Sequence, residues 1–402
     1  MKIQMSPLGD ENGLAVLSFG FRPFFFGASL FSGLAIAIWV PFYFGEITLP
    51  TAFAPVDWHI HEMLFGFLPA VIGGFLLTAI PNWTGRAPVK GRLLLLMTVV
   101  WLIGRIAMAC SANIGWFPAM LIDVSFLLLT AIVAGYEVLV AKNTRNVKVV
   151  VLVLALFACN VAFHLEAHAH GAADISMRAG IAVIVVLLAV IAGRIVPAFT
   201  RIWLMRAPQG RMPIPFSRFD AAAVGVAAVA LLAWVVRPEG AITGGLCLFA
   251  GLFHLARLAR WAGYRTWPNR LLVILHIGYA FVPLGFLLAG AAAFGEIGRS
   301  AAIHSWMAGA AGIMTLAVMS RASLGHSGRP LAATGLTQTV YAFAVAAALV
   351  RIGAVLFPEW NSGLIHLAAA LWFVAFFGFA LIYAPVFLTV SLPPQASMPR
   401  KH

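Results

Sequence analysis

Histidine is the residue type through which this sequence could do chemistry. Eleven are present in a chain that is 62% hydrophobic, and most stand at the edges of long apolar runs. His59 and His61 lie two apart in Trp58-His59-Ile60-His61-Glu62, and His164 and His168 lie four apart. Four-residue spacing puts two side chains on one helix face, where they can share a ligand or a metal. Two-residue spacing does not, so one of His59 and His61 is expected in the chain that enters its helix. His304 and His366 open two further runs, and His254 and His276 lie inside others. Neutral imidazole is an axial ligand of haem iron and also suits copper. The metal candidates are His59, His61, His164, His168, His304 and His366; for haem they are His61, His304 and His276. The sequence has no Cys-x-x-Cys-His stretch, so any haem would be non-covalent haem b. The alternative for each histidine is a side chain satisfied by an interhelical hydrogen bond.

Arginines add to this pattern. Arg105, Arg194 and Arg351 interrupt apolar runs. A buried guanidinium needs an anion. For Arg105 and Arg351, haem propionates would serve; Asp123 and Glu62 are internal alternatives.

The elements that must position these residues are membrane helices. Only 10% of the chain is charged, against about a quarter in a soluble domain. Backbone in lipid must satisfy its own hydrogen bonds, which leaves helices or a closed barrel. The apolar runs do not alternate and are long enough to span as helices. Twelve spans are expected: 18–44, 60–82, 92–112, 116–140, 147–168, 178–200, 218–236, 240–261, 269–293, 300–321, 333–356 and 363–390. This is an all-α polytopic membrane protein, read as a single integral-membrane domain over 1–402. The three cysteines are far apart and read as buried thiols.

A net charge of +13 could suggest nucleic acid, but its distribution argues against that. Cations crowd alternate loops: Arg86, Lys90 and Arg92; Lys142, Arg145 and Lys148; Arg201, Arg206 and Arg211; Arg257, Arg260 and Arg265. The intervening loops carry Glu46, Asp57, Asp174, Glu239, Glu296 and Glu359. Such a bias places the basic loops in the cytoplasm, and both termini with them. The expected location is the bacterial inner membrane, with the lipid bilayer rather than nucleic acid as the contacting phase. On this topology His59, His61, His164, His168, His170, His304 and His366 share one outer depth, while His254, His276 and His326 lie on the inner side.

A motif recurs along the chain. His61 to Arg86 and His304 to Arg329 are each 25 residues apart, and Gly66 and Gly309 each lie five past the histidine. Thr84-Gly85-Arg86 matches Ser327-Gly328-Arg329, and a fainter copy ends at Arg201. The copies fall on spans 2, 6 and 10. That suggests three four-helix repeats, 18–140, 147–261 and 269–390; shared helix-end chemistry is the plainer explanation. Equal register means nearly equal depth. His61 and His304 are therefore expected to grip one haem iron from two sides, with His164 and His168 on copper.

The segments FRPFF (Phe21–Phe25), WHIHEMLFGF (Trp58–Phe67), NVAFHLEA (Asn160–Ala167), GRIVPAFT (Gly193–Thr200) and MSRASLGHSGRPL (Met319–Leu331) together resemble the NnrS family. The resemblance covers about residues 16 to 390. It implies twelve helices, haem and copper, and a part in nitric oxide tolerance or denitrification. By fold-level analogy, the twelve helices and the histidines on spans 2 and 10 are reminiscent of the haem-copper oxidase core, though span 6 has no histidine. The leading expectation is an oxidoreductase that reduces nitric oxide to nitrous oxide, with electrons from quinol or a periplasmic cytochrome. The alternatives are a haem-based nitric oxide sensor or sink, and a secondary transporter.

Overall fold

The computed structural model describes residues 14–391; His402 and the rest of 392–402, like residues 1–13, lie outside the described residues. Among the described residues the chain is helical, with twelve helices long and apolar enough to cross a membrane. They are α1 (Phe21–Tyr43), α2 (Pro55–Thr84), α3 (Arg92–Ala109), α4 (Trp116–Val140), α5 (Thr144–His170) and α6 (Asp174–Leu204). The second half comprises α7 (Arg218–Val236), α8 (Ala241–Ala259), α9 (Arg270–Ala293), α10 (Ser300–His326), α11 (Gly335–Leu356) and α12 (Pro358–Leu388). The shortest has 18 residues and the longest 31. At about 1.5 Å per residue, even the shortest nearly matches the hydrocarbon core. This is a multi-pass membrane protein.

Side chains sort as lipid demands. Leu95, Leu102 and Ile106 on α3, and Leu121, Ile132 and Leu139 on α4, are exposed. The interior is packed with Phe21, Phe24, Phe25, Phe65, Phe67, Phe286 and Trp306. α1 packs mainly against α2 and α12, and α9 against α8 and α10. Close approaches fall at glycines: Gly74 lies under Phe24 and Phe25, and Gly285 and Gly309 meet Trp306 and Phe281.

Two helices break their regular winding in matching places. α2 is π-helical over Glu62–Phe67, directly after His61. α10 is π-helical over Ser305–Gly312, directly after His304. Such segments are rare and often mark functional sites. They change the rotational phase of everything on their N-terminal side.

The start of α2 corrects one expectation. The helix begins at Pro55, with Pro at its first turn, so His59 and His61 are both helical and neither lies in an entering loop. Being two apart, they point to different sides of α2.

Candidate metal and cofactor sites

The buried side of α2 holds a polar cluster built from four helices. His61 and Glu62 come from α2, Arg105 from α3, Asp123 from α4, and Asn160 and His164 from α5. His61 Nδ1 lies 2.9 Å from Glu62 Oε1, and its Nε2 lies 3.2 Å from Asp123 Oδ2 and 3.1 Å from Asn160 Oδ1. His164 Nε2 is 3.1 Å from the same Asp123 oxygen, and Asn160 Nδ2 donates to it at 2.7 Å. Arg105 donates through Nη1 to Glu62 at 2.7 Å and through Nη2 to Asp123. All six residues are buried.

Local sequence explains the cluster. Gly66, five residues past His61, has no side chain where Arg105 Nη1 passes, and its carbonyl accepts from Trp101 Nε1 at 2.9 Å. Phe53, Phe65 and Phe163 pack around the His61 ring. Two carboxylates face one guanidinium here, so one further positive charge, a proton on His61 or a metal cation, balances the cluster. His61, Asp123 and His164 present one ligand atom each, all mutually within 4.8 Å. Metal–nitrogen bonds of about 2.0–2.1 Å at tetrahedral angles hold donor atoms about 3.3 Å apart. The observed 3.1 and 3.2 Å are close to that spacing.

The other side of α2 faces a cavity of about 570 Å³, lined by His59, His304 and Arg351 among mainly apolar residues including Met63, Phe67, Met307 and Trp372. The His59 ring stacks on Trp39 with centroids 4.2 Å apart. His304 Nδ1 is 2.8 Å from the Ser300 carbonyl, so that nitrogen carries the proton and Nε2 keeps its lone pair. Arg351 Nη1 is buried and has no hydrogen-bond partner among the described residues. Asp57 and Asp174, in the first turns of α2 and α6, also line the cavity.

The structure therefore divides the outer histidines. His61 and His304, paired in the sequence reading, are not brought together: His61 turns into the polar cluster and His304 into the cavity. His59 joins His304 instead. Arg105, expected near a propionate, is held by Glu62 and Asp123, whereas Arg351 faces the cavity. His164 and His168 do share a face and both line a smaller cavity of about 190 Å³. Only His164 reaches the cluster; His168 is exposed and stacks on Trp116 at 4.0 Å. His366 is exposed, with Nδ1 on the Ser362 carbonyl and its ring on Phe44.

His276 and His254 have partners of their own. His276 Nε2 meets Thr200 Oγ1 at 3.0 Å, with Nδ1 buried and unpaired beside Gly263. His254 belongs to a second buried polar group, bonded to Tyr279 at 2.7 Å. There Arg257 bonds Asp220, Tyr279 and the Ala189 carbonyl, passing over Gly193.

Asp123 is the ligand-competent residue that histidine spacing did not select. Its signal was a lone carboxylate deep in an apolar run. A search of curated proteins finds no match. The NnrS family model, described as "NnrS protein", matches residues 15–390. That span includes all twelve helices and every residue of both sites, so the chain belongs to the NnrS family.

Proposed function

We propose that this protein consumes nitric oxide at two centres flanking α2: haem b in the cavity lined by His59, His304 and Arg351, and copper at His61, Asp123 and His164. Membership of the NnrS family fits a membrane protein linked to nitric oxide. The observation that carries the haem assignment is Arg351, a partly buried guanidinium without a carboxylate partner among the described residues, which lines the same cavity as His304, whose Nε2 is free. Neutral imidazole, apolar walls and a cation for a propionate are what a buried haem needs. The volume falls within the usual range for ligand pockets. His304 and His59 would supply the imidazoles, and Arg351 the propionate contact.

The copper assignment rests on the donor set and on the charge left over in the cluster. A bound cation would take the place of the proton between His61 or His164 and Asp123, with Glu62 and Arg105 holding the shell. Two imidazoles and one carboxylate are also the set that non-haem iron takes, which favours a second reading of that centre.

The reaction this reading requires is 2 NO + 2 e⁻ + 2 H⁺ → N₂O + H₂O. The metals supply the redox chemistry and the protein supplies access, charge and position. Quinol or a periplasmic cytochrome is the proposed electron donor. Asp57 and Asp174 stand where protons would arrive from the outer side. We place the protein in the bacterial inner membrane with both termini cytoplasmic, as one membrane domain of three four-helix units.

The test is anaerobic nitric oxide consumption by the purified protein with a reduced quinol analogue, with nitrous oxide measured. Many equivalents consumed per protein, with matching nitrous oxide, are expected. Uptake that stops at one or two equivalents would make the protein a binder, a sink or sensor, instead. An optical spectrum without a Soret band would remove the haem, and metal analysis separates copper from iron at the second centre.

A further inference from the structure

A third cavity, of about 650 Å³, lies at the end of the bundle that carries the cationic loops. Its walls come from α2, α5, α6, α9 and α10. Three arginines line it, Arg145, Arg194 and Arg321, and among the described residues no carboxylate does. Several arginines elsewhere are paired: Arg86 with Glu137, Arg105 with Glu62 and Asp123, Arg257 with Asp220, and Arg299 with Glu239. Among the described residues, none of the three has a carboxylate at salt-bridge distance.

Two of the three are held in place. Arg194 Nη1 donates to Asn146 Oδ1 at 3.0 Å. The Arg321 guanidinium lies 4.1 Å over the Phe199 ring. Asn143 donates to the Trp83 carbonyl at 2.6 Å, which ties the start of α5 to the end of α2. Three cations on the walls of one cavity repel one another, and an anion between them removes that cost. Arginine presents a fork of donors that suits phosphate oxygens. The rest of the lining is largely apolar, with Phe75, Ile195 and Val318. A small inorganic anion would leave that surface bare; a phosphate bearing an apolar body would cover it.

We propose that this cavity binds a phosphate ester, with Arg194 and Arg321 on the phosphate oxygens and Arg145 at the rim. Basic pockets between membrane helices at the cytoplasmic side suit anionic lipid headgroups. A phospholipid phosphodiester is the source that the apolar walls favour, and a soluble phosphate ester is the other. The site lies on the opposite side of the membrane from the two proposed metal centres and does not depend on them.

The experiment uses the full-length protein in detergent and native mass spectrometry. Phosphatidylglycerol, phosphatidylcholine of the same chains, glycerol 3-phosphate and inorganic phosphate are the probes. Phosphatidylglycerol is expected to be retained over phosphatidylcholine. The double variant Arg194→Gln, Arg321→Gln should weaken that retention roughly thirty-fold, from about one charge interaction per arginine. Arg145→Gln, which is exposed and needs no repacking, should weaken it roughly five-fold, and it decides the matter if the double variant does not fold. Arg299→Gln, at the opposite end, should leave it unchanged. If glycerol 3-phosphate binds instead and responds to the same substitutions, the ligand is a soluble phosphate ester and the site stands. Equal retention of both lipids with no binding of either phosphate would overturn the proposal, as would anion binding indifferent to all three arginines.

Discussion

At the scale of single residues, the histidines of one depth separate by the way each ring is held. His304 spends Nδ1 on a carbonyl and keeps Nε2 free, whereas His61 has acceptors at both nitrogens. We predict that His304→Ala and Arg351→Gln each lower haem content and the Soret band while leaving the second metal in place. His164→Ala should do the reverse. Loss of both metals in every variant would mean that the two centres are one. Arg105 gives a stability prediction of a different kind. Replacing it by Leu strands Glu62 and Asp123 as buried carboxylates, at a cost of about 3–5 kcal/mol. Thermal unfolding in detergent should show a clear drop, partly restored by adding Glu62→Gln. An unshifted melting curve would mean that water reaches the cluster.

At the scale of helices, depth could be read from the sequence and azimuth could not. Twelve runs of apolar residues give twelve spans, because lipid allows a helix few alternatives. The observed ends differ from those expected by up to five residues, as at α2, where Pro55 starts the helix early, and at α10, which runs on to His326. Counting residues from the membrane edge gives His59, His61, His164 and His304 one expected height. Which of them meet depends on the rotation of each helix about its axis, and the π segments of α2 and α10 alter that rotation midway. No residue type announces such a segment, so the pairing of His61 with Asp123 and of His59 with His304 was hidden. Asp123 itself was visible as an intramembrane carboxylate, and so was its attraction for Arg105. The repeated glycine five past each histidine was visible too, but its causes differ: Gly66 makes room for Arg105 and Gly309 for Phe281. We predict that deleting one residue from Ser305–Gly312 removes the extra residue of the π segment and leaves His304 on the cavity, because the lost residue and the return to α winding turn the preceding helix by about 100° in opposite senses. The haem spectrum should survive that deletion, and it should vanish when one residue is deleted instead from the regular turn Ile313–Ala317. Loss of the spectrum in the first deletion, or its survival in the second, would show that the phase of α10 does not aim His304.

At the scale of the whole molecule, the two ends of the bundle have opposite characters. One carries the cationic loops and the arginine-lined cavity; the other carries the histidines with Asp57 and Asp174. The charge bias predicts that a fluorescent reporter fused after His402 lights up in the cytoplasm and that a periplasmic enzyme fused there stays inactive. The reverse result would exchange inside for outside throughout. The buried polar groups follow the same division. The cluster of α2, α3, α4 and α5 is closed on itself, and the Asp220–Arg257–Tyr279–His254 group belongs to other helices. If electrons and protons both reach the centres from the outer side, no net charge crosses the dielectric during turnover. A reaction that moved one charge through the full field would gain or lose about 2.3 kcal/mol per 100 mV. In proteoliposomes with an outside electron donor, an imposed potassium diffusion potential of either sign should leave the turnover rate unaltered. The protein would then dispose of its substrate without charging the membrane or drawing on its voltage, and cells that had lost their membrane potential would keep the activity.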